Sequence, residues 1–198
     1  MAHPRRAGAL SKAKRARLGM SLIAAVQKMD HALARHAISL GADPSFPHVL
    51  GQDSPAMLAC DVDRPDILST LIDAGADLDA GNWIGSTACM RSAMGGSPRC
   101  LRLLILAGCD PERSEPSKLR RASHYAASFG QLECLSLLEH AGCDLQAATR
   151  SGDTPESLAR AHGHVDCALF IQALVERRSL LAGGDPRATR SSHPAPRI

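Results

Sequence analysis

Seven cysteines and nine histidines are the residues of this 198-residue chain best able to do chemistry, as metal ligands or as thiol nucleophiles. His162 and His164 flank Gly163 in an arrangement that looks like a ligand pair. A zinc site wants donors at short spacings, because four of them must converge on one ion. No Cys-x-x-Cys occurs, and no cysteine pair has zinc-finger spacing. Phosphate loops, Gly-x-Ser-x-Gly and His-Glu-x-x-His are also absent. None of His162, His164 and His124 has a plausible nucleophile or carboxylate partner at motif spacing. The reading is therefore of a chain with no catalytic, cofactor-binding or metal residue, and not of an enzyme.

The elements that must carry these residues emerge from self-similarity. Gly-small-Asp recurs at Gly41-Ala42-Asp43, Gly75-Ala76-Asp77, Gly108-Cys109-Asp110 and Gly142-Cys143-Asp144, at spacings of 34, 33 and 34. A second landmark lies 12 residues upstream of each, at Met29, Asp63, Gly96 and Gly130. Apolar runs of helical period fill the intervals, as in Cys100-Leu101-Arg102-Leu103-Leu104-Ile105-Leu106. Each period predicts a short helix, a turn, a longer helix, a terminating Gly and a polar loop. Ser97-Pro98 predicts a capped start for one of the longer helices. One such unit cannot bury its apolar face alone, so neighbours must stack into a continuous core. Aromatics are only 3% of the residues, so that core is packed by Ala, Leu, Ile, Val and Cys.

At this register the chain resembles the ankyrin-repeat family. Its Thr-Pro-Leu-His-x-Ala-Ala-x-x-Gly signature is met in pieces at Ser54–Cys60, Thr87–Ala93, Ala122–Gly130 and Gly152–Pro155 with Gly163-His164. The resemblance implies an all-α solenoid of five helix-turn-helix repeats with projecting hairpin loops, over 18–49, 50–83, 84–116, 117–150 and 151–178. A basic arm over residues 1–17 and a disordered tail over 179–198 flank it. No repeat keeps both the Thr and the His of the signature: Met57 and Met90 replace His, Arg121 replaces Thr, and Ser157 replaces His. A divergent array of moderate stability is expected.

The register also places the cysteines. Cys100, Cys134 and Cys167 hold one core-facing position in successive repeats, and Cys109 and Cys143 replace the Ala of Gly-Ala-Asp. Cys60 and Cys89 replace an Ala and a Leu of the signature. All are positions for a small apolar side chain, which a free thiol supplies. His124 takes the family's structural His position, and His164 is read as serving its turn.

In this family, partners dock on the finger loops and the exposed ends of the first helices. Mapped here, that surface comprises Leu50, Asp61 and Val62; Trp83, Ile84, Ser86, Met94 and Gly95; Ser117, Lys118, Arg120, Ser128 and Phe129; and Arg150, Ser151, Asp153, Ala161 and His162. Trp83 and Phe129, with Ile84 and Met94, form an apolar centre, and Lys118, Arg120, Arg121 and Arg150 a basic rim. The expected partner is another protein, with an apolar anchor beside acidic groups. The competing reading has Trp83 folded onto its own finger and Phe129 plugged between helices.

Charge divides along the chain: +7 over Met1–Met29, −8 over Asp30–Glu176 and +4 beyond. The basic segment Lys12–Arg17 admits four readings: a helix extension, a nuclear-import signal, a transit peptide or a contact for phosphates. No aromatic residue precedes Phe46, so base stacking is unavailable there, and nucleic acid ranks below protein as a partner. No secretory signal or membrane-length apolar run is read. The expectation is a monomeric adaptor, inhibitor or scaffold subunit, cytoplasmic or nuclear. The alternatives are a nuclear regulator using the basic arm and a regulatory subunit of an enzyme complex.

Overall fold

A computed structural model describes residues 11–46 and 53–181. Among them are ten helices and no strand: α1 Lys12–Gln27, α2 His31–Ser39, α3 Pro55–Asp61, α4 Pro65–Asp73, α5 Ala88–Gly95, α6 Pro98–Leu106, α7 Ala122–Ser128, α8 Leu132–His140, α9 Pro155–Ala161 and α10 Val165–Leu181. They form five antiparallel pairs. The odd-numbered helices pack in one row, α1 on α3 on α5 on α7 on α9, and the even-numbered helices in a second. The described residues adopt the all-α solenoid that the family resemblance implied.

Sequence equivalence becomes packing equivalence. In the second row, Ile67/Leu68/Leu71, Cys100/Leu101/Leu104, Cys134/Leu135/Leu138 and Cys167/Ala168/Ile171 occupy one repeated i, i+1, i+4 pattern, and all are buried. In the first row the matching positions are small: Ala59, Ser92, Ala126 and Ala159. Small residues there let adjacent first helices approach, while Leu and Ile fill the wider space behind. Each fully buried Leu or Ile contributes roughly 1.5–3 kcal/mol.

The turn between paired helices repeats as closely. Met29, Asp63, Gly96, Gly130 and Gly163 all have positive φ, from 48° to 78°. This left-handed residue lets the next N–H reach back five residues: Asp30 to Ala25, Arg64 to Ala59, Ser97 to Ser92, Gln131 to Ala126 and His164 to Ala159, at 2.8–2.9 Å. The side chain that follows the turn then grips the preceding repeat. The Arg64 guanidinium donates to the Met29 carbonyl. Ser97 Oγ donates to the Cys60 carbonyl at 3.1 Å. His164 Nε2 donates to the Ser128 carbonyl at 3.1 Å. The Gln131 side chain occupies the space a Cβ on Gly96 would take, with its Oε1 2.3 Å from that position.

Ser97 therefore corrects one expectation. It stands at the N-cap of α6, but makes no capping bond, because its hydroxyl is committed to the Cys60 carbonyl. Pro98 does take the first helical position.

The Gly-small-Asp motif is a ladder. Asp43, Asp77, Asp110 and Asp144 each accept from the N–H two residues on, at 2.9–3.1 Å. That second residue in turn accepts the Asp N–H of the next repeat: Ser45 from Asp77, Asp79 from Asp110 and Glu112 from Asp144.

The ends differ from the expected boundaries. Lys12–Arg17 form the first turns of α1, capped by Ser11, so the helix-extension reading describes this part of the arm. Ser179–Leu181 close α10 instead of beginning the tail. The remainder of both segments lies outside the described residues.

Candidate partner-binding surface

Three fingers present the residues of interest. In finger three, Asn82 organises the loop: its Oδ1 accepts the N–H of Ile84 at 3.2 Å and of Ser86 at 3.0 Å. Its main chain closes the turn through Asn82 N–H to Ser86 O and Gly85 N–H to Asn82 O. Trp83 and Ile84 are left at the tip, 77% and 37% exposed. The Asn82 amide also donates to Asp53 Oδ1 at 2.8 Å, anchoring finger three to the repeat before it.

Finger four is one residue longer than fingers three and five, with 12 residues from Asp110 through Arg121 against 11 from Asp77 through Thr87 and from Asp144 through Thr154. It closes with Glu115 N–H to Arg120 O at 3.0 Å and Leu119 N–H to Glu115 O at 2.9 Å. Leu119 has φ 57°, where fingers three and five use Gly85 and Gly152. Pro116 packs against finger three so closely that a Cβ on Gly85 would stand 2.3 Å from its Cδ. Finger five joins finger four through Arg150 N–H to Lys118 O at 2.8 Å and Arg150 Nη2 to Pro116 O at 3.0 Å.

Trp83 is exposed and does not fold onto its finger, and Phe129, at the C-cap of α7, is 51% exposed. Met94 and Arg120 are half-buried, and Lys118, Arg150 and His162 are exposed. Arg120 stacks its guanidinium 5.9 Å from the Tyr125 ring centroid. The Tyr125 hydroxyl donates to Glu115 Oε2 at 3.0 Å, and burial, with that carboxylate beside it, pushes its pKa up to about 12. His162 donates from Nδ1 to the Leu158 carbonyl at 2.8 Å. Ser86 and Ser128 correct the mapping: both are buried and do not contribute to the surface. Leu50 lies outside the described residues.

Arg91 was missed in the sequence. Its Nε donates to Asp61 Oδ1 at 2.9 Å, Nη2 donates to Asp61 Oδ2, and Nη2 lies 3.5 Å from Asp53 Oδ2. The available signal was a lone Arg at the outward position of the signature, between two acidic residues of the preceding repeat.

All seven thiols are free and buried. Burial pushes Cys134 and Cys143 up to about 12 and raises Cys167. A hydrogen bond to Cys100 raises Cys60, and one to Cys109 raises Cys89. Among the described residues, no cluster of His, Cys, Asp and Glu can hold a metal ion. No helix among them is long and apolar enough to cross a membrane.

A family model for ankyrin repeats matches residues 22–115 and 90–178. The chain belongs to the ankyrin-repeat family. Among curated ankyrin-repeat relatives, the Mus musculus cyclin-dependent kinase 4 inhibitor B is 35% identical over 127 residues, 63% of this chain and 97% of that protein. The Homo sapiens cyclin-dependent kinase inhibitor 2A is 36% identical over 110 residues, 56% of this chain and 70% of that protein. The probable E3 ubiquitin-protein ligase XBOS33 of Oryza sativa subsp. japonica is 31% identical over 113 residues, 57% of this chain and 22% of that protein. This ankyrin-repeat chain is a protein-interaction module, the function its family resemblance implied.

Proposed function

We propose that the finger face of repeats two to five binds and restrains a protein partner, with no catalysis by this chain. Trp83 carries the reading. A tryptophan 77% exposed, on a loop tied down by five hydrogen bonds through Asn82, is an apolar anchor carried on backbone that is already ordered before binding. Ile84 beside it adds apolar surface, and the half-exposed Phe129 at the C-cap of α7 offers a second apolar contact. Lys118, Arg120 and Arg150 supply the basic rim, matched to a partner whose apolar anchor sits beside acidic groups. His162 and Met94 lie at its margin.

The finer reading makes the partner a protein kinase, restrained by occupancy, in the cytoplasm or nucleus. The support is the likeness to proteins named as cyclin-dependent kinase inhibitors, one of which this chain spans almost end to end. The chain acts as a monomer outside its complex. The test is capture of purified cyclin-dependent kinases by wild type and by Trp83→Ala/Phe129→Ala, with thermal melts of both. Capture lost by the double variant at an unchanged melting temperature supports the reading. Capture by neither protein removes the kinase, and capture by both equally removes the finger face.

A further inference from the structure

Charge on the finger face is sorted by repeat. Residues 41–86 hold eight carboxylates and Arg64 as their one cation. Arg64 is engaged with Asp66 and the Met29 carbonyl at the inter-helix turn. At the two ends of α3 in repeat two, Asp53 and Asp61 face the single guanidinium of Arg91, two carboxylates for one positive charge. Fingers four and five hold as many carboxylates as cations, five of each over residues 108–121 and 142–154, but not every cation is ion-paired. Arg121 is paired with Glu112, but Lys118, Arg120 and Arg150 form no ion pair among the described residues. Their positions are fixed nonetheless, because finger five is bonded to finger four through the Lys118 and Pro116 carbonyls. Between the two regions stand Trp83 and Ile84.

Ion pairs satisfied within a protein contribute little to a partner, whereas unpaired charges on a rigid surface steer and orient one. We infer that the finger face reads a partner segment with three features in fixed order: a basic side chain against Asp53 and Asp61, an apolar anchor on Trp83 and Ile84, and a carboxylate against Lys118 and Arg150. This rests on the proposed finger-face reading and adds the basic feature and the order. An acidic partner segment without a basic end leaves the excess carboxylate of repeat two facing a like charge, and a purely basic one opposes three unpaired cations.

Three synthetic peptides with one Phe-Leu centre test it: one flanked by Glu on one side and Lys on the other, one by Glu on both, one by Lys on both. Trp83 is the only tryptophan in the chain, so its emission reports binding directly. The mixed peptide binds roughly tenfold tighter than either uniform one at low salt, and the advantage fades at high salt. Lys118→Glu/Arg150→Glu moves the preference to the all-Lys peptide, and Asp61→Lys moves it to the all-Glu peptide. Lys118→Glu alone serves if thermal melts show that the double variant does not fold. Equal binding of the mixed and all-Glu peptides overturns the inference and leaves the finger face standing. Emission unchanged by all three peptides overturns both.

Discussion

His124 ties α7 to finger five: the Nε2 of the buried ring donates to the Ala147 carbonyl at 3.0 Å. A carbonyl can only accept, so Nε2 carries the proton and Nδ1 is free to accept the Arg121 N–H, which it does at 3.2 Å. The neutral imidazole closes its own turn with one nitrogen and holds the next finger with the other. Burial lowers its pKa accordingly.

This relationship sets a pH dependence. A histidine whose folded pKa lies below its unfolded value binds more protons when unfolded. Its contribution is fully present above the unfolded value of about 6.5 and is lost as pH falls through that value toward the folded pKa. The melting temperature of the wild type should therefore fall between about pH 7 and pH 5. In His124→Gln the baseline is lower but that part of the fall disappears. A parallel fall in both proteins would show that His124 is not the titrating group.

Leu119 offers a prediction of opposite sign. Its φ of 57° is costly for any residue with a Cβ, and the equivalent positions in fingers three and five are Gly85 and Gly152. Leu119→Gly should stabilise the chain by about 1 kcal/mol in urea unfolding, the left-handed cost outweighing the loss of a side chain that is 40% exposed. A destabilised variant would mean that Leu119 packing outweighs the backbone.

Arg91→Ala should destabilise by about 1–3 kcal/mol, because Asp53 and Asp61 then face each other without their shared guanidinium. Adding Asp61→Ala should recover part of that loss. No recovery in the double-mutant cycle would mean that Arg91 acts through its hydrocarbon stem.

The thiols should be chemically silent. With all seven buried, and Cys134 and Cys143 pushed up to about 12, the thiolate fraction at neutral pH is small and access is closed. A disulfide-exchange reagent should label them at the rate of unfolding and titrate all seven in denaturant. Rapid labelling of one thiol in the native protein would contradict this.

Much of the fold was legible because periodic positions report themselves. The Gly-small-Asp ladder and the turn landmarks, including the non-glycines Met29 and Asp63, were assigned from spacing and all adopt one geometry. The seven cysteines likewise fell on buried positions. What spacing could not show is where a side chain spends its hydrogen bond. Ser97 had the composition of a cap and bonds the previous repeat instead. Ser157 was read as a lost His, yet its Oγ accepts the Thr154 N–H at 2.9 Å while Thr154 Oγ1 accepts the Ser157 N–H at 3.2 Å, restoring the turn with shorter atoms. On the surface, the mapping located Trp83 but not the Asn82–Asp53 bond that fixes its finger, because that contact spans 29 residues with no motif of its own.

The most direct test of the finger face uses its single tryptophan. Protein containing 5-fluorotryptophan gives one fluorine resonance, from Trp83, which can be followed as a captured partner is added. A shifted resonance that loses its sensitivity to exchange of H₂O for D₂O places the partner over Trp83, the result predicted here. An unmoved, solvent-sensitive resonance in a complex shown to have formed would contradict it.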